Sequence, residues 1–167
     1  RIYRDIIAKE RRGDYLGAES LAFLGDTLVK NGEADMGLPY LETLLQRYPQ
    51  SPFVAVAHAR LAEQLLLKND FSNALAHASL AVDAASDPQL MMESVFARAK
   101  SLQRLQRFPE AIEAYNTVIA NRVSPRALKP EAMLGIAASL EAQGRVKEAI
   151  PYYQRIYVLY PAYTKAM

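Results

Sequence analysis

The sequence predicts an all-α chain: an α-solenoid of stacked antiparallel helix pairs. Three observations predict it. A small residue recurs in pairs at a constant 12-residue step, as Gly25 with Gly37, Ala62 with Ala74, Ala99 with Ala111 and Ala137 with Ala149. The return steps between pairs are 25, 25 and 26 residues, so the period is 37 to 38. Around each small residue the apolar positions fall at helical spacing, and no alternating Val/Ile/Thr run suggests a strand. A constant step has a physical cause. Two helices that touch closely need a small residue on each, and one residue more or less would turn one of them about 100° off the contact.

The elements follow in order. From Ala18 to Lys30, Leu21, Leu24, Gly25 and Leu28 stand at i, i+3, i+4 and i+7 of a helix. Asn31-Gly32 breaks it, and Gly37-Leu38 with Leu44 opens the returning helix. The second pair repeats this with His58, Leu61, Ala62 and Leu65, the breaker Asn69-Asp70, then Ala74-Leu75 with Ala81. The third has Arg98-Ala99 with Leu102, then Ala111-Ile112 with Val118. The fourth has Ile136-Ala137 with Leu140, the breaker Gly144-Arg145, and Ala149-Ile150 with Ile156. Pro49, Pro88 and Pro161 read as stops behind second helices.

Composition narrows the function. The 167 residues are 51% hydrophobic and 23% charged, which is the make-up of an ordered chain. Lys+Arg is 20 and Asp+Glu is 18, and a net +2 argues against a general nucleic-acid binder. Cysteine is absent, which removes disulfides, thiolate metal sites and a Cys nucleophile. No apolar run is long enough to span a membrane. A soluble chain of either the cytoplasm or the periplasm fits these residues. The chain opens Arg1-Ile2-Tyr3-Arg4 without Met, which reads as a piece of a longer protein.

The repeats resemble the tetratricopeptide repeat (TPR) family. That family places bulky residues four, seven and eleven from the repeat start, small ones at eight and twenty, and an aromatic at seventeen. Phe71 and Phe108 fill the aromatic position, whereas Ala34 and Val146 depart from it, and Arg98 replaces a usual Leu. The family's unit is shorter, so the extra residues lie after second helices, as at Val123-Ser124-Pro125-Arg126. The resemblance implies one domain over residues 1–167, a right-handed α-solenoid, with repeats at 18–54, 55–91, 92–129 and 130–160. Residues 1–12 read as the end of a preceding repeat, because Tyr3 to Ile7 matches Tyr115 to Ile119 and Tyr153 to Tyr157. Residues 161–167 read as the start of a following one.

No constellation suggests an enzyme, and no cofactor is expected. His58 and His77 lack a third metal ligand, and packing is the simpler reading of both. No Gly-Lys-Ser/Thr loop is present to cradle a phosphate. Glu110 and Glu113 lie on a helix face with nothing to desolvate them. Tyr40, Tyr48, Tyr115, Tyr152, Tyr153, Tyr157 and Tyr160 sit mostly in second helices and read as packing between repeats. Arg98, Lys100, Arg104, Arg107, Arg122, Arg126 and Lys129 form a basic stretch without interleaved stacking aromatics, so a solvated face is preferred to nucleic-acid binding.

Stacked helix pairs leave a concave surface lined by first helices. Positions about 180° from the core face of those helices are Glu19, Phe23, Asp26 and Lys30, then Val56, Arg60, Glu63 and Leu67. Glu93, Ala97, Lys100 and Arg104 follow, then Glu131, Gly135, Ala138 and Ala142. The candidate peptide-binding groove is therefore Phe23, Asp26, Lys30, Arg60, Glu63, Leu67, Phe96, Lys100, Arg104 and Ala138. Phe23, Leu67 and Phe96 are apolar where the core does not need them. Arg60, Lys100 and Arg104 are expected to converge on a carboxylate, and Gly135, Ala138 and Ala142 to leave room for a partner's bulk. The residues by which some tetratricopeptide repeats clamp chaperone tails are missing, since the matching positions hold Ala22, Asp26, Arg60, Glu93 and Ala97. The expectation is a non-catalytic scaffold that binds a protein or peptide segment and no small-molecule substrate. The alternative is a structural or oligomerisation segment of a larger assembly. Tyr48-Pro49-Gln50-Ser51-Pro52 looks loosely like repeats of bacterial cell-envelope scaffolds.

Overall fold

A computed structural model describes residues 15–164. The readings placed on residues 1–12 and on 165–167 lie outside them. Helices follow one another as α1 (Tyr15–Lys30), α2 (Ala34–Arg47), α3 (Val54–Leu67), α4 (Phe71–Ala84), α5 (Pro88–Arg104), α6 (Phe108–Ala120), α7 (Leu128–Ala142), α8 (Val146–Leu159) and the short α9 (Pro161–Thr164). No strand occurs among the described residues.

Each pair turns in the same way. The second residue after the first helix adopts the left-handed conformation, at Gly32, Asn69, Gln106 and Gly144. Next to it, a backbone N–H reaches back to the helix: Glu33 to Leu28 O, Asp70 to Leu65 O, Arg107 to Leu102 O and Arg145 to Leu140 O, at 2.8 to 2.9 Å. This is the C-terminal cap that satisfies orphan helix carbonyls. Three of the four turns were legible from Gly or Asn, and the Gln106 turn carries no such signal.

The small residues meet where the pairs cross. A side chain on Gly25 would strike Leu41, and one on Gly37 would strike the Gly25 carbonyl at 2.8 Å. Ala62, Ala74, Ala99, Ala111, Ala137 and Ala149 are all fully buried. Two prolines behave otherwise than expected. Pro88 opens α5 instead of closing α4, because the Asp87 carboxylate caps the helix by accepting the Leu90 N–H at 2.8 Å. A proline with its preset φ suits the next position. Pro161 likewise begins α9.

The pairs then stack. First helices touch one another in series, α1 with α3, α3 with α5 and α5 with α7. Second helices α2, α4 and α6 each pack against the first helix of the next pair. They carry an i, i+3, i+7 stripe of Leu38, Leu41 and Leu45, then Leu75, Ala78 and Val82, then Ile112, Tyr115 and Ile119, all buried or partly buried in the core clusters. The inner layer of first helices thereby forms one continuous surface.

Candidate functional site

The inner surface opens into a cavity of about 500 Å³. Helix α3 supplies Arg60, Glu63, Gln64, Leu66 and Leu67, and α5 supplies Glu93, Phe96, Ala97 and Lys100. Lys30 closes it from α1, and Pro125 and Leu128 close it from the other end. Helical spacing explains the arrangement, since Glu63 and Leu67 follow each other at i, i+4, as do Phe96 and Lys100.

Six of the ten residues expected in the groove line this cavity: Lys30, Arg60, Glu63, Leu67, Phe96 and Lys100. Phe23 and Asp26 line a neighbouring hollow with Pro52, Phe53 and Leu90. Arg104 and Ala138 line neither. The expected convergence of Arg60, Lys100 and Arg104 does not occur. The Arg104 guanidinium stands 5.8 Å from the centre of the Phe71 ring on α4. Nor does Gly135 leave space for a partner, because the Tyr115 ring already fills it. Gln64, Pro125 and Leu128 were not foreseen; Pro125 lies in the link before α7 and Leu128 opens that helix, and periodicity within a helix says nothing about where the link before it folds back.

Arg60 is the centre of the polar end. It is 4% exposed and is held by carboxylates from three helices. Its Nε donates to Asp26 Oδ1 at 2.5 Å, Nη1 to Glu63 Oε1 at 2.5 Å, and Nη2 to Glu93 Oε2 at 3.4 Å. Lys30 Nζ donates to the other Asp26 oxygen at 2.8 Å, and Gln89 to Glu93 Oε1 at 3.2 Å. Burial works against the charge of Arg60, but Glu63 and Asp26 outweigh it and raise its pKa further. Burial also works against the Asp26 anion, and Lys30 and Arg60 overcome it, so that carboxyl stays below its ordinary value. The network bolts α1, α3 and α5 together at the polar end of the cavity. It is a brace, already satisfied, and not an open anion site.

The other end is apolar. Leu66, Leu67, Pro125 and Leu128 form it with one edge of Phe96. Leu67 is 75% exposed. Phe96 is mostly core: its ring meets Tyr115 edge-on with centroids 5.8 Å apart. The Lys100 ammonium stands 5.6 Å above the Phe96 ring, a cation–π arrangement at the cavity wall.

The two histidines lie away from this cavity. Their Nδ1 atoms are 2.9 Å apart and the ring centroids 5.1 Å, so the nitrogens face each other nearly in line. One ring donates and the other accepts. Burial lowers both pKa values, and the facing His77 lowers that of His58 further. Among the described residues no group of three or more His, Asp or Glu is placed to hold a metal ion. No described helix is long and apolar enough to cross a membrane.

Comparison with known proteins agrees with this architecture. No curated protein sequence matches the chain. A solved structure of a MamA mutant aligns with a TM-score of 0.66 and 25% identity, over 85% of this chain and 77% of that one. MamA AMB-1 aligns in one crystal form at TM-score 0.65 and 25% identity, covering 85% of this chain and 72% of that one. A second crystal form at 23% identity gives 0.65, over 87% and 81%. The tetratricopeptide repeat profile matches residues 24–89 and 96–164, most of the chain. These repeats form protein–protein interaction scaffolds, and the chain belongs to the tetratricopeptide repeat family.

Proposed function

We propose that this protein is a non-catalytic scaffold that docks a segment of a partner protein in the concave cavity between α1, α3 and α5. The observation that carries the reading is Leu67. It is a large apolar side chain, three-quarters exposed, at the mouth of a cavity walled by Leu66, Phe96, Pro125 and Leu128. A partner's apolar side chain placed there would remove that surface from water, at roughly 25 cal/mol per Å² buried. Lys100 at the wall is positioned to meet an acidic group of the same segment. The histidines support the non-catalytic reading, since each is engaged by the other and neither reaches the cavity. Nucleic acid fits poorly, because the cavity sets Glu63 and Glu93 beside its cations.

The test uses Leu67→Glu and Lys100→Glu, with helicity checked by circular dichroism. Peptides selected on the unmodified protein should lose binding to the Leu67→Glu protein. Peptides that bind both equally would place recognition elsewhere. Arg60 is a poor probe, because its removal would loosen the brace.

A further inference from the structure

The chain holds two histidines in 167 residues, and the fold sets them against each other. His58 is on α3 and His77 on α4, the two helices of the second pair. The other pairs fill these positions differently. The counterparts of His58 are Leu21, Val95 and Met133, and those of His77 are Tyr40, Ala114 and Tyr152. Leu21, Val95 and Met133 are all buried, so the fold asks only for packing here. Histidine serves packing poorly, because burial opposes protonation of both rings and so costs stability in acid.

The two rings are arranged as a pair of ligands. Their Nδ1 atoms lie 2.9 Å apart, nearly on the line joining the ring centres. Among the described residues neither ring has a hydrogen-bond partner besides the other. Neutral imidazole is the metal-binding form, and burial keeps both rings neutral near pH 7. When the donor ring carries its N–H on Nε2 instead of Nδ1, both Nδ1 lone pairs point at one centre. Two metal–nitrogen bonds of about 2.0 Å hold collinear nitrogens about 4 Å apart, so each ring must withdraw by about 0.5 Å. Both residues are partly exposed, which leaves them room to withdraw and an ion a way in. The donor set selects the metal. Zinc takes four ligands, and among the described residues no third His, Asp or Glu is placed to help. A filled-shell monovalent ion is satisfied by two collinear nitrogens, and imidazole suits copper.

We propose that His58 and His77 form a two-coordinate site for copper(I), with the ion in line between the two Nδ1 atoms. Binding breaks the hydrogen bond between the rings, moves its proton from Nδ1 to Nε2 of the same ring, and forms two N–Cu bonds. The copper keeps its oxidation state, and no net proton is released. The ion then clamps α3 to α4 where the other pairs rely on apolar contact. The cavity lining includes neither histidine, so the site does not rest on the docking reading.

The test uses the whole protein without oxygen, with ascorbate present and copper(I) supplied as its bicinchoninate complex. The protein should withdraw one equivalent, seen as loss of the complex's colour. His58→Leu and His77→Tyr, which place the residues found at Leu21 and Tyr40 of the first pair, should each weaken binding about tenfold or more with helicity unchanged. X-ray absorption of the copper should show two nitrogen neighbours and no further ligand. Silver(I), a diamagnetic stand-in, should shift the nitrogen-15 signals of both Nδ1 atoms while both Nε2 atoms keep their protons. That measurement reads the unmodified protein and stands even where a variant does not fold. No uptake of copper(I), equal uptake by the His58→Leu/His77→Tyr protein, three or more ligands on the copper, or silver shifts at Nε2 would overturn the proposal. So would zinc(II) binding at the two histidines as tightly as copper(I).

Discussion

Arg60 on α3 holds Asp26 on α1 at 2.5 Å, joining residues 34 apart in sequence across the first two helix pairs. The bond shows that the inner surface is braced by charge as well as by packing. Arg60→Ala would leave three carboxylates around an empty position. Breaking a buried pair costs about 3–5 kcal/mol, and the lower end applies because Glu63 and Glu93 still reach water. Thermal unfolding should show a loss of about 3 kcal/mol. Lys100→Ala, which removes no brace, should cost less than about 1 kcal/mol. Equal effects would mean that the network contributes nothing.

Gly135 is required by Tyr115. A Cβ there would overlap the phenol ring of a fully buried tyrosine, so Gly135→Ala should destabilise by about 1–3 kcal/mol despite alanine's better helix propensity. Tyr115→Leu in the same chain should recover part of that loss, giving a non-additive double-mutant cycle in urea unfolding. Additive effects would place the cause elsewhere.

Gln106 occupies the turn position that Gly32 and Gly144 fill in the first and fourth pairs, with φ of 61°. A left-handed residue with a Cβ costs roughly 1 kcal/mol. Gln106→Gly should therefore raise stability by up to about 1 kcal/mol, less the added freedom of the unfolded glycine. Gly144→Gln should lower it. A lower melting temperature for Gln106→Gly would contradict the cap assignment.

The His58–His77 contact makes stability depend on pH. Burial lowers both pKa values from 6.5, and the facing ring adds to this at His58. The folded pair stays neutral where unfolded histidines already bind protons. Its contribution is therefore complete above about pH 7 and is lost as pH falls below 6.5 towards the lowered folded values. The urea midpoint should drop between pH 7.5 and 5.5, and drop less in a His58→Gln/His77→Gln protein. Parallel pH profiles for the two proteins would exclude the pair as the cause.

What the sequence made legible was the interior of each helix pair. Gly25 with Gly37, and the three alanine pairs, sit at the crossings because a small-residue requirement leaves a fixed spacing behind. The junctions between pairs were less legible. Arg60 and Gly135 both lie about 180° from their own pair's core, which suggested the groove. Gly135 instead faces the preceding pair at Tyr115, while Arg60 lines the cavity but is tied to Asp26 of the preceding pair and Glu93 of the following one. A single helix's periodicity records its own partner, and a neighbour one repeat away leaves no period of its own. Gln106 hid its turn for a simpler reason, that the backbone there tolerates a residue whose type carries no turn signal.

The central claim is docking in the cavity between α1, α3 and α5. The most direct measurement is NMR of the labelled protein titrated with a peptide selected from a random library on the unmodified protein and counter-selected on Leu67→Glu. Docking predicts that the largest shifts fall on Leu66, Leu67, Phe96, Lys100 and Leu128 and that Leu67→Glu removes them. Shifts confined to α2, α4, α6 and α8, or a selection that yields no peptide sensitive to Leu67, would contradict it.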